Sequence, residues 1–405
     1  MRIGLFTDTY PPFINGVSTS ILILKESLEK QGHTVYVLTI NTDNFRYETD
    51  SNVVRIPGVP VGIYDYRVSS IYPIRLINKI KKWNLDIIHS HTEFSVGTFA
   101  RIIAKQLNIP LVHTYHTMWE DYTHYITKGH FDKPSKKIVE YITKFYCDKT
   151  ITELIVPTKK TYDLFKEKYK VERNVHIVPT GINLEKFHIN KNNFKTNKIR
   201  KELGITDTNK VVLFLGRLAK EKNIEFLLET HKDLIKNDKE YKLIIVGDGP
   251  DKKTYLDYVL KNKLENNILF TGKVSLEEVP NYYQLADVFS TASRSETQGL
   301  TVIEAMASGV IPVCINDDSF TNVVNNEFNG FIFKNKKEYK NIITKIFKDK
   351  TLLTRIATQA KTSSKEYSSS YFASRVLDVY KTAVESKKSK KNIVNTIVEV
   401  FKKDK

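Results

Sequence analysis

Two glutamates in the second half of the chain have a spacing that bears on chemistry. Glu296 and Glu304 lie eight residues apart in the segment SRSETQGLTVIEAMASG. On one helix this spacing would separate them by about 12 Å, whereas the two carboxyl groups of a glycoside hydrolase stand about 5 to 9.5 Å apart. The spacing therefore favours two separate contacts to an extended ligand over a hydrolytic pair. Two surface glutamates on an ordinary loop and helix are the alternative interpretation.

The loop between these glutamates is a candidate anion site. Gly299 lies in a polar stretch that leads into a helix predicted to start near Thr301. The first N–H groups of a helix have no helical partner, and they carry the positive end of the helix dipole. We therefore expect a diphosphate to bind at this helix start.

Two further candidate segments follow predicted strands. Arg217 and Lys222 come after the strand Val211–Leu215, and the turn GDGP at 247–250 follows the strand Tyr241–Val246. In parallel α/β sheets, ligands bind at the carboxyl ends of the strands. Two cations at such an end can neutralise a leaving diphosphate. The GDGP segment by itself is also compatible with a plain turn.

The first half of the chain carries a glycine and a group of histidines. Gly16 opens the helix after the first predicted strand, where it lets a phosphate approach the backbone closely. Six of the ten histidines lie between residues 89 and 130. His89 and His91 would share one strand face, but no carboxylate or cysteine stands at a matching metal-ligand spacing. A sugar or acceptor pocket explains this polar and aromatic segment better than a metal site.

Predicted strands and helices alternate along the whole chain. The alternation begins with the strand Arg2–Thr7 and the helix Val17–Lys30, and it restarts after the Asn- and Lys-rich stretch at 188–201. This pattern predicts the α/β class with two Rossmann-like, doubly wound parallel sheets. We expect one such domain at 1–187, a second at 188–368, and C-terminal helices at 369–405.

Positive charge is concentrated in two parts of the chain. The net charge is +17, and residues 1–200 carry 29 basic and 19 acidic side chains, whereas residues 201–350 carry 22 of each. A helix predicted at 71–83 has isoleucines at every third position beside a stripe of cationic residues, and the tail at 386–405 has an apolar face with basic flanks. Both patterns suit an anionic membrane surface. Lysines in solvent and a surface helix packed on the core are the alternatives.

Composition limits the classes of protein that fit. The chain is 41% hydrophobic and 27% charged, which is typical of a folded soluble protein. Two cysteines, Cys147 and Cys314, cannot form a disulfide or zinc framework. No apolar run approaches the roughly 20 residues of a membrane span, and the N-terminus lacks the pattern of a signal peptide. We expect a cytoplasmic protein and, without a clustered arginine and aromatic RNA motif, no nucleic-acid partner.

Taken together and in this order, the motifs resemble those of the retaining GT-B glycosyltransferases of family four. The ordered set also includes PTGI at 179–182, and it spans the whole chain. The resemblance implies two Rossmann-like domains that face a central cleft. It also implies that the final helix, at about 371–384, crosses back to the N-terminal domain.

The resemblance implies catalytic roles for four residues. His116 would lie near the donor sugar and its anomeric carbon. Arg217 and Lys222 would hold the diphosphate, and Glu296 would bind hydroxyls of the sugar.

Further donor contacts are implied in both halves of the chain. Gly16 would contact the diphosphate through its backbone, and Glu304 would hold the ribose hydroxyls. The remaining donor-binding residues implied by the resemblance are Asp248, Gly249, Gln298, Gly299 and Leu300.

Within the family, the segment HTYHTMWEDYTHYI at 113–126 most resembles the bacterial diacylglycerol glucosyltransferases. These enzymes transfer glucose from UDP-glucose to the 3-hydroxyl of 1,2-diacylglycerol at the inner face of the cell membrane. Peripheral binding to anionic lipid would involve Arg75, Lys79, Lys82 and Trp83. A transferase for a soluble acceptor such as malate or a carbohydrate, and a non-catalytic nucleotide-sugar-binding protein, are the alternatives. The resemblance implies no tightly bound cofactor or metal, and Mg²⁺ dependence stays open.

Overall fold

The chain divides into two compact units. The computed structural model describes residues 1–13, 15–42, 50–60, 67–117, 132–190 and 193–403, and it describes side chains except at 132–136 and 390–403. Unit 1 consists of Met1–Gly181 and Ser369–Lys405, and unit 2 consists of Ile182–Ser368. The chain thus passes into unit 2 a few residues before 187, where the sequence suggested a boundary.

Unit 1 is built on a seven-stranded parallel sheet. Its described strands are β1 (Arg2–Phe6), β2 (Thr34–Ile40), β3 (Val53–Ile56), β6 (Ile87–Ser90), β7 (Leu111–Thr114), β8 (Glu153–Val156) and β9 (Val175–Ile177), in the order β3-β2-β1-β6-β7-β8-β9. A separate short pair, β4 (Val59–Pro60) and β5 (Arg67–Val68), is antiparallel. The strands are apolar on both sides, as expected for a parallel sheet that helices cover on both faces.

Helices cover the two faces of this sheet. The described helices of unit 1 are α1 (Gly16–Lys30), α2 (Ile74–Lys82), α3 (Ser95–Gln106), α4 (Asp132–Asp148), α5 (Lys159–Asp163) and α14 (Ser369–Lys403). One apolar cluster joins the sheet to α1 and α14, and another joins it to α2, α3 and α4. Alternate strand residues belong to different clusters, for example Val37 and Leu38, so the clusters lie on opposite faces.

The last helix, α14, completes unit 1. Its residues Phe372, Val376 and Tyr380 are buried in the same cluster as α1. The Arg375 guanidinium donates a hydrogen bond of 2.6 Å to the carbonyl oxygen of Ile177 at the end of β9. The expectation that the final helix returns to the N-terminal domain is confirmed.

Unit 2 is built on a six-stranded parallel sheet. Its strands are β10 (Lys210–Leu215), β11 (Tyr241–Val246), β12 (Ile268–Gly272), β13 (Val288–Thr291), β14 (Ile311–Ile315) and β15 (Phe331–Phe333), in the order β12-β11-β10-β13-β14-β15. Its described helices are α6 (Phe194–Glu202), α7 (Ile224–Asn237), α8 (Lys252–Lys261), α9 (Val279–Tyr283), α10 (Leu300–Ala307), α11 (Asp318–Thr321), α12 (Lys336–Lys348) and α13 (Lys350–Ser363). The predicted α/β class with two Rossmann-like parallel sheets is therefore confirmed.

Each sheet has one point at which its strand order reverses. In unit 1 the reversal lies between β1 and β6, and in unit 2 it lies between β10 and β13. The loops after the two neighbouring strands diverge there and leave a crevice at the carboxyl ends of the strands. These two crevices, one in each unit, are where a ligand of this fold class binds.

Candidate active site

Two loops of unit 2 bring a lysine and a glutamate together at the strand-order reversal. Lys222 lies in the short 3₁₀ turn Lys220–Lys222 after β10, and Glu296 lies in the loop between β13 and α10. The Lys222 ammonium forms an ion pair with the Glu296 carboxylate, although the residues are 74 positions apart. Both side chains are partly exposed. The sequence suggested both residues, and the structure joins them at the crevice.

Arg217 has a carboxylate partner of its own. Its guanidinium pairs with Glu221 four residues later, and the Glu221 side chain is nearly buried. Both cations suggested for diphosphate binding are thus paired with carboxylates.

The start of α10 provides backbone N–H groups beside this pair of loops. Gly299 precedes the helix with a φ of 75°, and no side chain caps the helix there. A Cβ atom at Gly299 would lie 2.5 Å from a ring carbon of Phe320, so only glycine fits this backbone position. Leu300 begins the helix, and Gln298 is buried just before it. A helix start without a side-chain cap is the arrangement that binds anions through its first N–H groups.

Glu304 lies one turn into α10, in a partly buried position. Its carboxylate accepts a hydrogen bond of 2.8 Å from the Tyr283 hydroxyl. Burial raises the pKa of Glu304 to about 7, and the hydrogen bond from Tyr283 opposes that rise. Tyr283 was not suggested by the sequence, because a tyrosine in an apolar helical pattern carries no separate signal.

The GDGP turn lies against the loop that carries Arg217. The Asp248 carboxylate accepts hydrogen bonds from the Gly249 backbone at 2.8 Å and from Lys252 at 2.9 Å, and the Lys252 contact lowers the pKa of Asp248. A Cβ atom at Gly249 would come within 2.3 Å of the Leu218 carbonyl oxygen. Gly249 therefore serves the close approach of two backbones, and Asp248 is exposed at the same edge of the sheet.

In unit 1 the reversal point is closed by a buried aspartate that the sequence reasoning missed. Asp8 follows β1, and its carboxylate accepts hydrogen bonds from the Ser95 hydroxyl at 2.7 Å and the Val96 backbone at 2.9 Å, at the start of α3. The Thr92 hydroxyl after β6 also donates to it. Burial raises the pKa of Asp8, and these hydrogen bonds counteract the rise. The position of Asp8 directly after a predicted strand was the sequence signal that could have identified it.

Gly16 is the first residue of α1 and is exposed. The side chain of Asn15 caps this helix by accepting a 2.8 Å hydrogen bond from the Ser18 backbone. The first N–H groups of the 15-residue helix are thereby held at the carboxyl end of β1. The backbone contact to a diphosphate that was suggested for Gly16 stays a prediction.

His116 follows β7 and is paired with a second histidine. Its Nε2 atom lies 3.0 Å from Nδ1 of His91, so one neutral ring donates and the other accepts. Burial lowers the pKa of His116 to about 4 and also lowers that of His91. His91 is buried, and its Nε2 atom has no hydrogen-bond partner among the described atoms. The rest of the histidine-rich segment, from residue 118, lies outside the described residues.

The other two buried histidines of this region hold internal hydrogen bonds. His89 is bonded through one ring nitrogen to the Tyr380 hydroxyl and through the other to Thr114, each at 2.7 Å. His113 is bonded to Glu93 at 3.1 Å. Within the described ranges, no three His, Cys, Asp or Glu side chains are arranged to hold a metal ion.

The four residues suggested for membrane binding lie on or directly after helix α2, and they differ in exposure. Arg75, Lys79 and Lys82 are exposed along it. Trp83, directly after the helix, is 7% exposed and stacks on Tyr36 at a ring distance of 4.7 Å. The indole belongs to the core of unit 1 together with Ile80, whereas Ile71 and Ile74 at the other end of the apolar stripe are exposed. In the part of the chain that the structure describes, no helix is both long and apolar enough to span a membrane.

Two family models and the GT-B fold define the class of this protein as glycosyltransferases. Residues 195–363 match the model of glycosyl transferases group 1, and residues 14–186 match that of glycosyltransferase family 4. Among solved structures, Anabaena HepE in complex with UDP has a TM-score of 0.74 at 17% identity, over 94% of this chain and 100% of that one. Sucrose-phosphate synthase from Thermosynechococcus elongatus has a TM-score of 0.75 at 18% identity, over 95% and 99%. At these identities the likeness concerns the fold.

Sequence relatives place the chain within that class. It is 37% identical over 400 residues to the alpha-monoglucosyldiacylglycerol synthase of Streptococcus pneumoniae, covering 97% of this chain and 88% of the relative. It is 36% identical over 402 residues to the enzyme of that name from Acholeplasma laidlawii, covering 97% and 100%. The chain belongs to glycosyltransferase family four and is a glycosyltransferase.

Proposed function

We propose that this enzyme transfers glucose from UDP-glucose to the 3-hydroxyl of 1,2-diacylglycerol with retention of configuration. The observation that carries the donor half is the Lys222–Glu296 pair at the strand-order reversal of unit 2, beside the open start of α10. The acceptor half is supported by the names of two relatives that match almost the whole chain. Because UDP-glucose is an α-glycoside and those names specify an alpha product, the configuration would be kept.

In this proposal the diphosphate binds between Arg217, Lys222 and the N–H groups of Gly299 and Leu300. The diphosphate competes with Glu296 for the contact to Lys222. Glu296 in turn accepts hydrogen bonds from hydroxyls of the sugar. Such an exchange couples occupation of the diphosphate site to the orientation of the glucose.

Further residues are proposed to contact the ribose and the rest of the donor. Glu304 binds the ribose hydroxyls, and Gln298, Asp248 and Gly249 line the donor site. For unit 1 the family resemblance suggests a backbone contact from Gly16 to a diphosphate and a neutral His116 near a sugar, and both stay predictions. A neutral imidazole can accept or donate a hydrogen bond to a hydroxyl without placing a cation beside the anomeric carbon.

The reaction itself needs stabilised charge and close positioning more than a protein nucleophile. The bond from the anomeric carbon to the acceptor oxygen forms on the face from which the bond to the diphosphate breaks. The proton of the acceptor hydroxyl passes to the departing diphosphate, and UDP leaves. Arg217, Lys222 and the helix start stabilise the negative charge that develops on the diphosphate.

We further propose that the enzyme acts as a peripheral protein on the inner, cytoplasmic face of the cell membrane. The exposed cations Arg75, Lys79 and Lys82 on α2 support attraction to anionic lipid. Two buried free thiols, Cys147 and Cys314, are compatible with a reducing compartment. Nucleic acid is not a proposed partner.

The proposed function is tested by UDP release from UDP-glucose, with and without 1,2-diacylglycerol in phosphatidylglycerol vesicles. We expect release only when donor and diacylglycerol are both present, together with an α-glucolipid identified by chromatography and by its anomeric proton coupling. Omission and addition of Mg²⁺ in parallel would establish metal dependence. The Lys222→Ala variant serves as the control for contaminating hydrolases.

Other outcomes would replace the proposal with a specific alternative. UDP release that is indifferent to lipid would indicate a soluble acceptor. Binding of UDP-glucose without turnover on any acceptor would indicate a nucleotide-sugar-binding protein.

A further inference from the structure

Helix α4 of unit 1 exposes an apolar stripe. Ile138, Tyr141, Ile142 and Phe145 are 61%, 73%, 46% and 48% exposed. Their positions follow the i, i+3, i+4, i+7 spacing that places side chains on one face of a helix. A surface helix of a soluble domain normally directs such a stripe toward the core, so this orientation requires an explanation.

The opposite face of α4 is fixed against unit 1 by a small and polar set of contacts. Thr143 and Cys147 are buried. The Tyr146 hydroxyl is 3.0 Å from the Thr98 hydroxyl of α3, and the Arg101 guanidinium lies 4.6 Å from the centre of the Tyr146 ring. These contacts determine the rotation of the helix about its axis. The apolar stripe therefore points away from the unit, because Thr143, Tyr146 and Cys147 occupy the face that packs on it.

Charge and location indicate what covers the stripe. Lys137 is exposed near the start of the described part of α4, and Lys149, directly after the helix, forms ion pairs with Asp148 and Glu172. Helix α4 packs in the same layer as α2, on the same face of the sheet, and α2 exposes Arg75, Lys79 and Lys82. An apolar stripe with a cation near one end, in one layer with a helix that exposes three cations, fits the interface of an anionic bilayer. The cations of α2 match anionic lipid, whereas an apolar protein partner would leave them without a counter-charge.

We propose that α4 lies in the interfacial region of an anionic membrane with Ile138, Tyr141, Ile142 and Phe145 inserted among the lipids. Helix α2 supplies the electrostatic attraction, and α4 supplies the apolar insertion. This inference rests on the proposed function, because it assigns the surface through which unit 1 reaches a lipid acceptor.

The test places an environment-sensitive fluorophore on the stripe. Both native cysteines are fully buried, so a single introduced cysteine can be labelled selectively on the folded protein. The Phe145→Cys variant carries the label on α4, and the Phe194→Cys variant is the matched control, since Phe194 is an 83% exposed aromatic residue of unit 2. With phosphatidylglycerol vesicles we expect a blue shift and brighter emission at 145, quenching by spin-labelled lipid, and no change at 194.

Three results would overturn the inference. The first is emission at 145 that does not change with vesicles, whether the protein sediments with them or does not bind them at all. The second is emission at 145 that depends on protein concentration without lipid, which would indicate contact between two copies. The third is a label at 145 that is already shielded from iodide in buffer, which would mean that the protein covers its own stripe.

A double variant separates this inference from the proposed function. Ile138→Asn combined with Ile142→Asn changes two exposed side chains, and we expect at least tenfold weaker binding to phosphatidylglycerol vesicles. Transfer of glucose to monomeric dihexanoylglycerol, which needs no lipid surface, should be unchanged. Retained vesicle binding would overturn the role of α4, whereas absence of transfer to dihexanoylglycerol in the unaltered enzyme would contradict the proposed function.

Discussion

The hydroxyl of Tyr283 donates a hydrogen bond of 2.8 Å to the carboxylate of Glu304 and lies 3.0 Å from the carbonyl oxygen of Thr301. The tyrosine ring is fully buried and packs edge-on against Phe187 at 5.9 Å. Because the ring cannot move, the hydroxyl has a fixed position, and it orients the carboxylate that we assign to the ribose. Tyr283 is in this way a positioning residue for the donor site that we propose.

Removal of this hydroxyl should weaken nucleotide binding in a pH-dependent manner. Glu304 has a pKa of about 7, and only its ionised form accepts both ribose hydrogen bonds, so UDP affinity should fall as the pH decreases through 7. In Tyr283→Phe the pKa rises further, and the fall should begin at a higher pH, with roughly tenfold weaker binding at pH 7. Calorimetric titration of UDP from pH 6 to 9 measures this. The neighbouring Tyr282→Phe is the control, and equal pH profiles would contradict the role of Tyr283.

Glu304→Gln should stabilise unit 2 while weakening UDP binding by at least tenfold. Burial raises the pKa of this acid from 4.5 to about 7, so its favourable contribution is complete below pH 4.5 and is lost as the pH rises through 7. The glutamine side chain does not ionise, so the variant does not lose this stability at high pH. We expect a gain of about 1–3 kcal/mol at pH 8 that shrinks toward pH 4.5, measured by denaturant unfolding. A gain that is independent of pH would show that ionisation is not its cause.

Lys222→Ala and Glu296→Ala should each reduce turnover by about two to three orders of magnitude, because each removes a contact to the reacting donor. Their binding defects should differ. Lys222→Ala should weaken UDP itself, whereas Glu296→Ala should weaken UDP-glucose and leave UDP nearly unchanged. Lys220→Ala changes an exposed cation in the same turn and is the control. Near-normal turnover in either site variant would remove that residue from the site.

The buried histidines should make unit 1 the more acid-sensitive part of the molecule. Burial lowers the pKa of His89, His91, His113 and His116 below 6.5, so the unfolded chain binds more protons than the folded one at acid pH. Their contribution to stability is present above 6.5 and is lost as the pH falls below it. Hydrogen exchange corrected for intrinsic rates, at pH 7.5 and 5.5, should show earlier loss of protection in β6 and β7 than in β10. Equal loss in both units would contradict this assignment.

Replacement of Arg75, Lys79 and Lys82 by glutamate should weaken binding to anionic vesicles by about a hundredfold or more, since each cation near such a surface contributes about 1 kcal/mol. UDP affinity should be unchanged. The matched control places glutamate at Lys232, Lys236 and Lys239, which are exposed in unit 2 and give the same change in net charge. Sedimentation with vesicles at two salt concentrations measures both variants. Equal weakening in both would indicate a general charge effect, and unchanged binding in the α2 variant would return that helix to a structural role.

The elements of the fold were predictable because alternating apolar segments and glycine turns are local signals. Arg217 and Lys222 could be placed because they directly follow a predicted strand. The contact between Lys222 and Glu296 could not, since it depends on the strand order, which brings β13 beside β10.

The direction in which the apolar face of a helix points could not be predicted from the sequence either. Periodicity shows which residues share a face of a helix but not whether that face meets solvent or core. Trp83 was therefore placed at a surface, whereas the structure buries it, and the stripe of α4 reads as a core face although Tyr141 and Phe145 are exposed. The apolar set of the tail, including Ile393 and Phe401, lies beyond the described side chains.

The return of α14 to unit 1 imposes an order on folding during synthesis. The segments of unit 1 are separated by the whole of unit 2. A ribosome adding about 5–20 residues per second needs roughly 10–40 s to translate the intervening segment. Until α14 emerges, the sheet face beside α1 lacks Phe372 and Val376, and His89 lacks its bond to Tyr380. The second unit can thus be complete while the first still exposes an apolar face.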